Sequence, residues 1–183
     1  MRSNLFKKQL TDVESVKTTV RPMSTHIDEN KIAIYIDESQ QQDIKNALGD
    51  SLFIDLLRYV NREEGFPVNE AYENLLHGGI YANGDDEFIF SGLEKALKYF
   101  VYARLVKHGD RNLSRIGLMQ NQSEYSSHAE LKEKQEEYKD AFSVAEELMN
   151  DCIRYIKHNS DKFPKWSKNI KVVRGPAITK IGD

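Results

Sequence analysis

The chain is 183 residues long, which suits one domain with appendages better than two full domains. Forty-seven residues are Leu, Ile, Val or Phe, excluding global disorder, and the 30% charged fraction with no apolar run near the roughly 20 residues of a membrane span excludes a transmembrane helix. The net charge of -3 hides an asymmetry: residues 1–22 carry +3 and 162–183 carry +5, leaving an acidic body of -11 between two basic ends.

Met1 to Lys8 has no apolar stretch behind its charges, so no secretory signal is expected and a cytosolic chain follows. Residues 1–30 lack a sustained helical stripe, and Arg21-Pro22 interrupts any element there, which predicts an extended N-terminal arm. Ile32, Ile34 and Ile36 alternate with Ala33 and Tyr35, a short strand-like lead-in. Ser39 with Gln42 forms a capping box for a helix bearing Ile44, Ala47 and Leu48, and Gly49 supplies its left-handed stop. Asp50 is positioned to cap the next helix, whose Leu52, Phe53, Leu56, Leu57 and Val60 recur at helical spacing before Gly65-Phe66-Pro67. Asn69 caps a third, short helix that runs through Leu75 and Leu76 to Gly78-Gly79.

Asn83-Gly84-Asp85-Asp86 is a strong turn, followed by a short extended lead-in at Glu87 to Phe90. Ser91 with Glu94 makes a second capping box. The helix from Leu93 to Val106 is apolar on most sides, with a narrow polar stripe at Glu94, Lys95 and Lys98, and belongs at the centre of the domain. Residues 110–126 read as a long loop around a short strand, of a length usually reserved for function or for ordering by a partner. Ser127 with Glu130 opens the last and longest helix, carried to about Asn159 on a seam of Tyr138, Ala141, Ala145, Leu148, Cys152 and Tyr155. Its first third, Leu131 to Glu137, is nearly all charged and is expected to project beyond the core. From Lys165 the chain alternates basic and apolar residues with strand character.

Most chemistry-bearing patterns are missing. His26, His77, His108, His128 and His158 are not spaced to share a helical face as a metal pair, and Cys152 alone makes neither a disulfide framework nor a Cys-rich site. No phosphate-cradling glycine loop and no nucleophile elbow is present. The carboxylates of Asn83 to Glu87 lack the glycine placement of a calcium loop and read as a plain turn. Glu130-Leu131-Lys132 and Glu137-Tyr138-Lys139 match half of a metal-dependent nuclease pattern, but on a helix their side chains do not converge as they must. Cys152 lies on an apolar seam and reads as a buried hydrophobe, and Tyr99, Phe100 and Tyr102 read as core. Neither catalytic residues, nor a cofactor, nor a metal is expected.

The order of parts is itself distinctive. An arm leads to Ile36-Asp37-Glu38-Ser39-Gln40 and Asp43-Ile44-Lys45-Asn46-Ala47-Leu48-Gly49. Tyr72 to Tyr81 follow, then Phe90-Ser91-Gly92-Leu93-Glu94-Lys95-Ala96-Leu97, Ile116-Gly117-Leu118-Met119, a long last helix and a basic tail. Over roughly residues 30–165 this resembles the head-tail connector (adaptor) proteins of tailed bacteriophages, in the branch of Bacteroides phages and crAss-like podoviruses. The resemblance implies a structural virion protein forming a ring, expected to be a dodecamer, under the portal at the capsid vertex. Such a ring extends the DNA channel and joins capsid to tail, after assembly in the host bacterial cytoplasm. Implied partners are the portal protein, further copies of the chain, tail or ring proteins below, and genomic DNA passing without sequence-specific binding; no membrane is involved. The family's C-terminal arm reaches the portal, which maps here onto residues 165–183 and assigns portal contact to Lys165, Trp166, Ile170, Lys171, Val172, Val173, Arg174 and Ile178.

The expected fold is therefore mainly α. It comprises an extended N-terminal arm over residues 1–30, a compact helical bundle with a long last helix over 31–164, and a strand-like C-terminal arm over 165–183. The alternative function is a cytosolic helical DNA-binding regulator using its basic arms, although the candidate helices are acidic or apolar where a recognition helix is basic. A helical hydrolase has only the Asn83 to Glu87 carboxylates in its favour.

Overall fold

The computed structural model describes residues 8–24, 26–61, 67–109, 111–115, 117–120 and 131–166. The chain is mainly α-helical. Its elements are α1 (Val13–Thr19), α2 (Glu29–Ser39), a π-helical turn (Gln40–Ile44), α3 (Lys45–Leu48), α4 (Asp50–Val60) and α5 (Glu70–His77). Strands β1 (Gly79–Asn83) and β2 (Asp86–Phe90) precede α6 (Leu93–His108), and β3 (Arg111–Ser114) and β4 (Gly117–Gln120) precede α7 (Leu131–His158).

The apolar stripe of α6 does what its composition predicts. Leu93, Ala96, Leu97, Phe100, Val101, Ala103 and Leu105 are all buried, because α7 lies along one side of the helix and α2, α5 and α1 cover others. The opposing face of α7 buries Ala141, Ala145, Met149, Cys152, Ile153 and Ile156. Small residues at 141 and 145 allow this helix to approach α6 closely, with Phe142 meeting Phe100 edge-on at 5.2 Å.

The N-terminal arm departs from expectation. Within residues 1–30, Val13–Thr19 is helical, capped by Asp12, whose side chain accepts from the Ser15 amide, and Leu10 and Val16 are buried. Two apolar residues, Leu10 and Val16, provide the burial that a short helix cannot supply for itself. The strand-like reading of Ile32 to Ile36 is also corrected. Asp28 caps α2, and Ile32 and Ile36, four apart, are fully buried while Ile34 is 55% exposed. Alternating isoleucines satisfy both periods over five residues; the acidic cap and the α6 surface select the helical one.

Ser39 does not cap a new helix, because α2 continues through the π turn into α3, and Gly49 (φ 82°) ends that path as anticipated. Asp50 is the first residue of α4 rather than its cap. Asn69 caps α5, accepting from the amides of Ala71 and Tyr72. The Gly65-Phe66-Pro67 stop lies mostly outside the described residues, and the Ser127–Glu130 start of α7 entirely so.

The predicted turn at 83–86 closes an antiparallel hairpin, β1–β2, with Asn83 opposite Asp86 and Gly79 opposite Phe90. Its root is set by two glycines. Gly78 (φ 89°) and Gly92 (φ 85°) stand back to back, and a Cβ on Gly92 would lie 2.4 Å from the Gly78 nitrogen and 2.5 Å from the Leu76 carbonyl oxygen. Both the positive φ and the close backbone approach require glycine. Gly92 also precedes α6 without a side-chain cap, so the Ser91–Glu94 capping box does not form. The segment read as a long loop contains a second antiparallel pair, β3–β4, with Arg111 opposite Gln120.

Candidate functional site

Three polar nodes tie the N-terminal segment to the helical body. At the first, the buried Gln40 side chain acts as a surrogate strand edge: its Nε2 donates to the Lys8 carbonyl at 2.9 Å and its Oε1 accepts from the Leu10 amide at 3.2 Å. Both backbone groups near the N-terminus thus find partners that an extended arm in solvent would take from water. The same π turn brings Asp43 to Arg104 on α6, with Nη1 2.6 Å from Oδ2, and the guanidinium also donates to Ser39 and Gln42. Burial raises the Asp43 carboxyl above its ordinary value, with Arg104 only partly offsetting that cost.

The second node centres on Glu94. Its Oε1 accepts from Lys98 Nζ at 2.8 Å, from Thr11 Oγ1 at 3.1 Å and from Ser15 Oγ at 3.2 Å, while its Oε2 lies 3.2 Å from His77 Nδ1. Burial alone would raise this carboxyl, but Lys98, Thr11 and His77 outweigh it and hold Glu94 below its ordinary value. His77 Nε2 continues to Glu73 at 3.4 Å, and Tyr59 donates its hydroxyl to Glu73 at 2.5 Å. Thr11, Tyr59, Glu73, His77 and Glu94 line an open cleft of about 870 Å³ beside Gln9, Leu10, Val68 and Leu76. Its acidic groups are Asp12, Glu73 and Glu94.

The third node fastens the outer part of α7. Arg21 donates to Glu137 at 2.5 Å and to Asp140, and its guanidinium lies 5.8 Å from the centre of the Tyr102 ring. Those two carboxylate bonds raise the guanidinium further above its usual value. Tyr102 donates its hydroxyl to Glu137 at 2.9 Å, and burial together with that acceptor pushes it up to about 12. Leu131 to Glu137 is otherwise exposed or half-buried, and Lys107 sits 4.6 Å over the Tyr138 ring.

The residues assigned to portal contact divide. Lys165 Nζ is 2.7 Å from Oδ2 of Asp55, a buried carboxylate on α4. Trp166 is half-buried against the core, and its Nε1 has no hydrogen-bond acceptor among the described residues. Ile170, Lys171, Val172, Val173, Arg174 and Ile178 lie outside the described residues. Asp55 also faces Tyr72, whose phenol is pushed up to about 12 by burial and then by that carboxylate. Sequence reasoning passed over Asp55, yet an acid inside the apolar run Leu52 to Leu57 is the signal of a buried charge awaiting a cation. Gln40 was likewise missed, and Glu94 was assigned to a helix cap. Cys152 is buried, and that burial pushes its thiol up to about 12, as its place on the seam implied. No group of three or more metal-ligating side chains occurs among the described residues.

The fold and its nodes define a mainly helical protein in which polar clusters join segments distant in sequence. A family model described as a family of unknown function, DUF6712, matches residues 44–175, and the chain belongs to that family. No curated protein and no solved structure matches the chain.

Proposed function

We propose that this protein is a structural virion component, a head-tail connector ring that docks on a phage portal, extends the DNA channel and joins capsid to tail. The observation that carries the proposal is the division of α7. This helix of 28 residues spans about 42 Å at about 1.5 Å per residue, yet its first ten residues contribute no buried side chain. Arg21, Tyr102 and Lys107 hold Glu137, Asp140 and Tyr138 to the body, while Leu131, Lys132, Glu133, Gln135 and Glu136 before them are exposed. A ring built from heterologous contacts needs a surface of that kind on every copy.

Charge supports the same assignment. The body of -11 repels phosphate and suits the wall of a channel through which DNA slides, and the +5 of residues 162–183 suits an acidic protein surface. On this proposal the helical bundle is the ring body, expected to be dodecameric, and residues 165–183 form the portal-facing arm. Within that arm Lys165 and Trp166 anchor the base, and Ile170, Lys171, Val172, Val173, Arg174 and Ile178 make the contact.

Native mass spectrometry and negative-stain imaging, with and without the portal protein of the same particle, test this. Ring-sized assemblies that bind portal are expected. A chain that stays a monomer or dimer at every concentration and ignores portal would overturn the assignment, as would tight, salt-sensitive duplex binding, which belongs to a regulator.

A further inference from the structure

The hairpin β1–β2 has two unlike faces. Its inner side packs Tyr81, Phe88 and Phe90 on the end of α7, where Phe90 stacks on Tyr155 at 4.5 Å and Phe88 on His158 at 6.3 Å. Its outer side presents Ile80 and Ile89, direct cross-strand partners that are 67% and 79% exposed. The next outer pair is Ala82 and Glu87, and Asp85 and Asp86 stand at the tip. No third strand pairs with either edge among the described residues. Two bare edges beside an exposed β-branched pair form a template for strand addition.

The chain carries a segment of matching chemistry. Residues 167–183 hold Lys168, Lys171, Arg174 and Lys180 against a single acid, Asp183, with Ile170, Val172 and Val173 interleaved. Their starting point is close to the hairpin. Trp166 follows Phe163, which meets Tyr155 edge-on at 5.7 Å, and Tyr155 is the ring that supports Phe90. The tail therefore begins three residues beyond Phe163, whose ring is linked to Phe90 of the sheet through Tyr155. Four residues span up to about 14 Å, enough to round the edge of a sheet whose half-thickness is about 5 Å.

We propose that in the free chain residues 170–175 add to its own hairpin as a third strand, antiparallel to β2, with Val172 opposite Ile89 and Arg174 opposite Glu87. In that register Val172 extends the outer isoleucine pair, Arg174 meets the carboxylate one row on, and Pro176 falls opposite Asp85, beyond the last paired residue of β2. Occupancy by the same chain is favoured over occupancy by a second copy because so short a tether keeps the tail at a high effective concentration. The hairpin is then a holding site from which the tail is released when another acceptor competes. The placement does not depend on the connector assignment.

The test uses the full-length chain without portal. Ile89→Cys combined with Val172→Cys is expected to form an intramolecular disulfide under mild oxidation, at least ~10-fold faster than Ile89→Cys combined with Ile178→Cys. Cys152 stays silent because its thiol is buried. A link between two copies would overturn placement on the same chain, and equal rates for the two pairs would overturn the register. Hydrogen exchange on the unmodified chain gives a second measure: backbone amides at 171–174 are expected to be protected at least ~10-fold, and Ile80→Lys with Ile89→Lys to remove that protection. Free exchange at 171–174 in the unmodified chain would refute the proposal while leaving portal binding an open question for its own assay.

Discussion

The two halves of α7 share one backbone geometry and have opposite fates. From Ala141 to Ile156 side chains recurring every three or four residues are buried in the core, whereas Leu131 to Asp140 is mostly Lys, Glu and Gln, with Tyr138 half-buried and no side chain buried. Hydrogen bonding along the helix does not distinguish them. What differs is the apolar area each half removes from water, the term that dominates folding stability. The inner half belongs to the domain's energetics, and on the proposed function the outer half makes contacts beyond it. Arg21 is the point where they meet, binding Glu137 and Asp140 from the N-terminal segment.

Substitutions separate the two halves. The largest loss is expected for Ile156→Ala, which empties a fully buried site and costs about 2–5 kcal/mol, readable as a lower urea midpoint. Gly92→Ala comes next. A Cβ there collides with the Gly78 and Leu76 backbone, and a loss of about 1–3 kcal/mol is expected from the strained φ alone. A variant as stable as the parent would show that the hairpin root relaxes without cost.

Acid should act on the N-terminal segment before the inner half of α7. Glu94 has a depressed folded-state pKa, so its stabilisation is complete above the ordinary value of 4.5 and is lost as pH falls through the folded value. Protease susceptibility of residues 8–24 should rise on acidification below that point. Glu94→Gln should make cleavage there less dependent on pH. If acid opens both regions together, the Glu94 node is not a separate fastening.

Arg21→Ala should cost no more than about 1 kcal/mol, since its carboxylate partners are substantially exposed, and the loss should shrink at high salt. The smallest effect on folding is expected from Glu136→Ala in the outer half, within about 0.5 kcal/mol by thermal melting. On the proposed function, charge reversal across Lys132 and Glu136 should nonetheless weaken assembly, which sedimentation would detect.

Much of this architecture was determined by sequence pattern alone. The breadth of the apolar surface of α6 marked the central helix, the spacing from Ala141 to Tyr155 marked its partner, and Asn69, Gly49 and the turn at 83–86 marked local boundaries, because caps and turns are decided within a few residues. Where pattern was silent or misleading, distant groups decided. Tyr81, Phe88 and Phe90 face α7 while Ile80 and Ile89 face outward, so both sides of the hairpin are apolar and no period of two shows in the sequence. The helical form of Ile32 to Ile36 depended on the α6 surface, and the N-terminal segment found its place through Gln40 and Glu94, separated from it by 30 and 83 residues in their bonds to Leu10 and Thr11. Sequence reports what a segment prefers locally; which preference prevails depends on the long-range partners that satisfy its backbone and bury its apolar side chains.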